Sequence, residues 1–106
     1  MIIFRNREHS EFEFASEEDL KFKAAVRCHT LVGHWASKKL GLAGSAADSY
    51  AKDVVARYLE DPDADSVFRK IRSDFRTHGI AQSEHRIRRT MDEFMTHAIA
   101  ELKAGR

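Results

Sequence analysis

The sequence predicts an all-α fold, a four-helix bundle preceded by a flexible or partly helical N-terminal arm. Three observations carry the prediction. Apolar residues recur at helical spacing in four successive stretches, and none of those stretches alternates as a strand would. Each stretch closes on a helix stop signal. Interrupters are otherwise scarce, with one Pro and five Gly among 106 residues.

The first helix has the longest pattern. Leu20, Ala24, Cys28, Leu31 and Trp35 recur at spacings of four, four, three and four, which is one face of a 3.6-residue helix. Phe22 and Val26, with Val32 beside Leu31, widen the stripe, so the helix is expected to bury itself against more than one neighbour. Ser16 with Asp19 reads as a capping-box-like start, and Glu17, Glu18 and Asp19 complement the N-terminal dipole. Lys38 and Lys39 do the same at the C-terminus, and Gly41 supplies the left-handed stop. The helix is thus placed at about residues 17–40, or beginning earlier.

Ser45 opens a second helix, about 46–60, with Asp48 three residues on and Ala47, Tyr50, Ala51, Val54, Tyr58 and Leu59 on its inner side. Asp61 and Pro62 stop it, because the residue before Pro avoids helical angles. Asp63 or Asp65 caps a third helix, about 65–78, with the apolar row Val67, Phe68, Ile71 and Phe75 and a stop at His78–Gly79. Ser83 caps a fourth, about 84–103, whose apolar residues are Ile87, Met91, Phe94, Met95, Ala98 and Leu102. The short links predict antiparallel neighbours. Residues 1–15 set Phe4, Phe12 and Phe14 among Glu8, Glu11 and Glu13 without a clean buried face. The chain therefore divides into an arm, 1–15, and a four-helix domain, 16–106.

A single Cys forms no internal disulfide and fits a reducing compartment. MIIF is followed at once by RNREH, so no secretory apolar region is expected, and no apolar run approaches the ~20 residues of a membrane span. These features predict a soluble, cytoplasmic protein that does not insert into the membrane. Net charge is +1 but unevenly spread: residues 1–66 hold nine basic and twelve acidic side chains, and residues 67–89 hold seven and two. A segregated, near-neutral chain points to a protein partner rather than to nucleic acid, whose binders are usually basic overall.

No catalytic constellation is present. His29 and His34, two of six histidines, lie roughly 140° apart around a helix and cannot share a ligand face. No paired-Cys or H-E-x-x-H spacing occurs, so no metal site is expected. Cys28 falls on the apolar face as a small hydrophobe, and Gly33 reads as a close-packing point. With no nucleophile–base pair either, the chain is not expected to be an enzyme. The basic block, Arg69, Lys70, Arg72 and Arg76 with Arg86, Arg88 and Arg89, reads as a solvated face or as a cluster at one end of the bundle that takes phosphates or an acidic surface.

Four blocks carry a family resemblance: FKAAVRCHTLVGHWASKKLGL, SYAKDVV, VFRKIRSDF and HRIRRTMDEF. In their order and spacing they resemble the zeta subunit of bacterial F-type ATP synthases, a family of ATPase inhibitors, over essentially the whole chain. The resemblance implies a natural inhibitor of ATP hydrolysis by the F1 ATPase. It implies that the N-terminal arm enters a catalytic interface between the alternating alpha and beta subunits, near the central stalk, while the bundle anchors it from outside. On this chain Phe4, Arg7, Glu8, Phe12 and Phe14 are the arm positions expected to meet the partner. The protein would then lie at the cytoplasmic side of the inner membrane, held there through ATP synthase. The chain departs from the family pattern at Arg5 and Asn6, where acidic residues are typical, and its FEFA stretch is one residue shorter. The alternative reading is a small helical nucleotide-sensing or adaptor protein that uses the basic cluster at 69–89 to bind ATP or ADP weakly. No other cofactor is expected.

Overall fold

The computed structural model describes the backbone of residues 2–105 and the side chains of residues 17–63 and 65–105. Within it the chain forms four helices: α1 Ile2–Lys39, α2 Gly44–Glu60, α3 Ala64–Thr77 and α4 Glu84–Lys103. Helix α1 is the centre, packed lengthwise on both α2 and α4, and the shorter α3 bridges α2 and α4. The fold is all-α.

Two rows of residues on α1 explain its central place. Ala25, His29, Gly33 and Ser37 form a buried row at i, i+4 spacing, and this row meets α2. Gly33 is the point of closest approach, where a Cβ would come within 2.6 Å of the Ala51 Cα. One turn away the His29 ring stacks on Tyr58 with centroids 4.4 Å apart. The second row, Ala24, Cys28, Val32 and Ala36, joins the main core with Val54, Ile71, Phe75, Ile87 and Ala98. Cys28 places its Sγ 3.5 Å from the Met91 carbonyl on α4, and Trp35 meets Phe75 on α3 edge-on at 5.6 Å.

The periodicity centres the buried face on Leu20, Leu31 and Trp35, but these three are half-buried and the fully covered positions are mostly small. Small residues allow close helix approach, and a helix flanked on two sides uses them where a larger side chain would hold the neighbours apart. Phe22, read as part of the inward stripe, is exposed, as is Leu59, read as an inner residue of α2. Each is turned from the core by its spacing. Phe22 stands two residues, about 200°, from Leu20, and Leu59 one residue, about 100°, past Tyr58.

The helix ends follow local chemistry with two corrections. Asp63 caps α3 by accepting from the Asp65 amide at 3.1 Å, and Ser83 caps α4 by accepting from the Arg86 amide at 3.0 Å. Gly41 (φ 79°) and Gly79 (φ 70°) end α1 and α3 in left-handed turns, closed by the Leu42 amide on the Ser37 carbonyl and the Ile80 amide on the Phe75 carbonyl. Ser45 is no cap: the extended residue before α2 is Ala43, which offers no side-chain acceptor, and Ser45 lies inside the first turn. Ser16 does not start α1 either, since the helical backbone runs unbroken from Ile2 through the 15/16 boundary. The side chains of Phe4, Arg7, Glu8, Phe12 and Phe14 lie outside the described residues.

Candidate functional site

The first described side chains of α1, Glu17, Glu18 and Asp19, are exposed, and Asp19 pairs with Lys23 one turn on at 2.9 Å on the surface. Leu20 is half-buried, and from Ala24 onward two rows of the helix are buried. The helix therefore leaves the bundle near Leu20 with three carboxylates around it. Downstream, the Gly33–Ala51 contact, the His29–Tyr58 stack and the Trp35–Phe75 contact fix α1 against α2 and α3. The result is a rigid mount for whatever the N-terminal part of this helix does.

The mount has its own polar locks. The Tyr50 hydroxyl donates to the Asp74 carboxylate at 2.7 Å, and Lys70 reaches the same oxygen at 3.1 Å while lying 5.1 Å from the Tyr50 ring centroid. This triad ties α2 to α3. Burial raises the Tyr50 hydroxyl's pKa well above the usual phenol range, and the neighbouring Asp74 carboxylate adds to the effect. Its signal in the sequence, a Tyr and an acid 24 residues apart, is invisible until the helices pair. His29 is held by an Nδ1–H bond to the Ala25 carbonyl at 2.7 Å, and burial lowers its pKa below 6.5.

The basic block does not gather into one cluster. Arg72 and Arg76 of α3 both approach Glu84 at the start of α4, at 2.8 and 3.6 Å. Arg88 of α4 returns to Asp65 of α3 at 3.1 Å, and its guanidinium lies 3.8 Å from the Phe68 ring centroid, with Arg72 on the same ring at 5.3 Å. These three arginines form a strut between α3 and α4. The hydrogen bond from Arg72 chiefly lowers the Glu84 carboxyl's pKa, which keeps this exposed acid charged. Lys70 belongs to the Tyr50–Asp74 triad, and Arg89 pairs with Glu93 at 3.6 Å on the α4 surface. Arg69 and Arg86 are exposed and have no carboxylate within ion-pair distance among the described residues.

No nucleophile emerges from this geometry. Burial, with the Asp92 charge behind it, pushes the Cys28 thiol up to about 11, so it stays protonated and inert at neutral pH. Among the described residues no group of His, Cys, Asp and Glu could hold a metal ion. Among the same residues no helix is long and apolar enough to cross a membrane.

The comparisons with known proteins give one positive result. A family model described as ATPase inhibitor subunit zeta matches residues 1–101, nearly the whole chain and the arm with it. No curated protein sequence matches.

Proposed function

The chain belongs to the ATPase inhibitor subunit zeta family, and from that premise we propose that it stops ATP hydrolysis by the F1 ATPase with its N-terminal arm. Residues 1–15 enter a catalytic interface between the alternating large subunits, beside the central stalk, and oppose rotation in the hydrolysis direction. The four-helix domain stays outside and holds the arm in place. The protein remains peripheral to the membrane, associated through ATP synthase.

The observation that carries this reading is a single helix, Ile2–Lys39, whose C-terminal half is locked into the core and whose N-terminal half continues beyond it. A helix anchored at one end can deliver a flexible or partly helical arm into a deep cleft, where it orders as its Phe side chains are buried. The composition suits that use: Phe4, Phe12 and Phe14 offer apolar anchors, while Arg7 and Glu8 offer charged hydrogen-bonding groups. Removing residues 1–15 is expected to abolish inhibition of F1 ATPase and leave the bundle folded by circular dichroism. Equal inhibition by truncated and full-length protein would falsify the arm's role.

A further inference from the structure

The seam between α1 and α2 is built from small residues around one ionisable ring. Ala25, Gly33 and Ser37 on α1 and Ala51 on α2 are buried but contribute little apolar area. Helix α2 buries only Ala51 and Val54, so its hold on α1 depends on what closes the seam beside them. One turn from the Gly33 crossing, the His29 ring stacks on Tyr58 at 4.4 Å and 24°, with His29 only 4% exposed. A carbonyl only accepts, so Nδ1 of that ring carries the proton given to Ala25 at 2.7 Å. Nε2 is then the basic nitrogen, and it has no hydrogen-bond partner among the described residues. A second proton on the ring places a positive charge inside the seam.

The ionisable groups on the surrounding elements do not meet that charge. On α2 and its C-cap, Lys52, Asp53, Arg57, Glu60 and Asp61 are all exposed. On α1, Arg27 lies 3.8 Å from Glu101 of α4, and Asp92 of α4 acts on Cys28 in the other buried row. On α3, Asp74 and Lys70 are engaged with Tyr50. No carboxylate lies within ion-pair distance of His29 among the described residues. The Tyr58 ring face attracts a cation, but by less than the loss of water costs it. Burial is accordingly the first cause of the lowered His29 pKa, and the Ala25 bond opposes it.

We propose that the α1–α2 seam is an acid-sensitive latch, closed on neutral His29 and opened by its protonation. The latch stands apart from the inhibitory reading above. Other contacts confine the opening. Ala24, Cys28, Val32 and Ala36 join α1 to the core with Ile71, Phe75, Ile87 and Ala98, and the Tyr50–Asp74 bond keeps the first half of α2 on α3. The stretch of α2 from Val54 to Glu60, which carries Tyr58, is what acid releases. Opening returns His29 to water and to a pKa near 6.5, so the open state takes up the proton more readily. The closed state is fully favoured above 6.5 and loses ground as pH falls from there through its own lower value.

Amide hydrogen exchange of the full chain, read by NMR and corrected for intrinsic pH dependence, tests the latch, because a short helix end released from its neighbour does not hold its own hydrogen bonds. Between pH 7 and 5, protection of the Val54–Tyr58 amides is expected to fall about five- to tenfold, one proton being worth at most about tenfold per pH unit. The Ile71, Phe75, Ile87 and Ala98 amides are expected to hold theirs. His29→Gln, which takes up no proton in this range, is expected to remove the difference. Unchanged Val54–Tyr58 protection overturns the latch. So does an equal loss in all four helices, which would assign His29 to overall stability alone, and so does a pH dependence that survives in folded His29→Gln protein. If that variant does not fold, the wild-type ring resonances decide. The His29 imidazole is expected to titrate below 6.5 with Tyr58 ring shifts at the same midpoint, and a midpoint at or above 6.5 overturns the proposal. None of these results bears on the arm.

Discussion

Replacing Gly33 with Ala tests the mount most directly. In an exposed helix interior this change stabilises by about 1 kcal/mol, because Ala loses less backbone entropy. Here the new Cβ would stand 2.6 Å from the Ala51 Cα, 3.1 Å from its Cβ and 3.4 Å from its carbonyl oxygen. Carbon atoms in contact rest about 3.5–4.0 Å apart, so α1 and α2 would have to separate by about 1 Å. A gap of that size forfeits a quarter to a half of each pair's attraction along the crossing, and overpacking typically costs about 1–3 kcal/mol. Set against the helix gain of about 1 kcal/mol, the net expectation is a loss of up to about 2 kcal/mol. Thermal midpoints should fall by about 4–8 °C for each kcal/mol lost in a domain near this size. Urea unfolding followed at 222 nm measures it. Adding Ala51→Gly separates the causes, because it removes the Cβ contact but leaves the Cα at 2.6 Å. The double variant is therefore expected to be no more stable than Gly33→Ala alone. A Gly33→Ala protein more stable than wild type by the full helix gain of about 1 kcal/mol would refute the tight crossing.

Three further outcomes follow from the polar and titratable groups. Tyr50→Phe removes a 2.7 Å hydrogen bond to a carboxylate that is only partly exposed and should cost about 1–2 kcal/mol; combined with Asp74→Asn the losses should be non-additive, and simple additivity would dismiss the triad. His29 has a lowered pKa in the folded chain, so the unfolded chain takes up its proton more readily. Its contribution to stability is complete above 6.5 and is lost as pH falls from there through the lower folded value. His29→Gln should flatten the fall in urea midpoint over about pH 7.5 to 5, and an unchanged slope would show that other groups govern it. Cys28 should resist thiol reagents in the native protein and react once urea unfolds it, since burial keeps it protonated and out of reach; fast native labelling would contradict the packing described.

How much of this was legible in the sequence depends on how local each signal is. The caps at Asp63 and Ser83, the stops at Gly41 and Gly79 and the apolar rows of α3 and α4 involve residues within a turn of one another, and sequence alone carries them. Gly33 was legible for a similar reason, because a glycine inside a strong helical pattern asks for a close neighbour. The resemblance blocks likewise pointed to the family that the match over residues 1–101 supports.

What the sequence did not decide is which side of each helix finds a partner. A helical wheel cannot tell that α1 is clasped by both α2 and α4, so it admits Phe22 to the inward stripe and passes over the buried row Ala25, His29 and Ser37. It groups seven cations into one block because they are near in sequence. The pairing of α3 with α4 instead sends Arg72 and Arg76 to Glu84 and Arg88 to Asp65, while Lys70 and Arg89 pair within their own helices with Asp74 and Glu93. The pairs that cross between helices depend on distances between residues on different elements, and only the packing of the helices sets those distances. The sequence determined the four helices, the caps of α3 and α4 and the family. The tertiary structure decided that the first helix is the centre of the core, clasped by α2 and α4, because only helix packing sets which of its faces are covered.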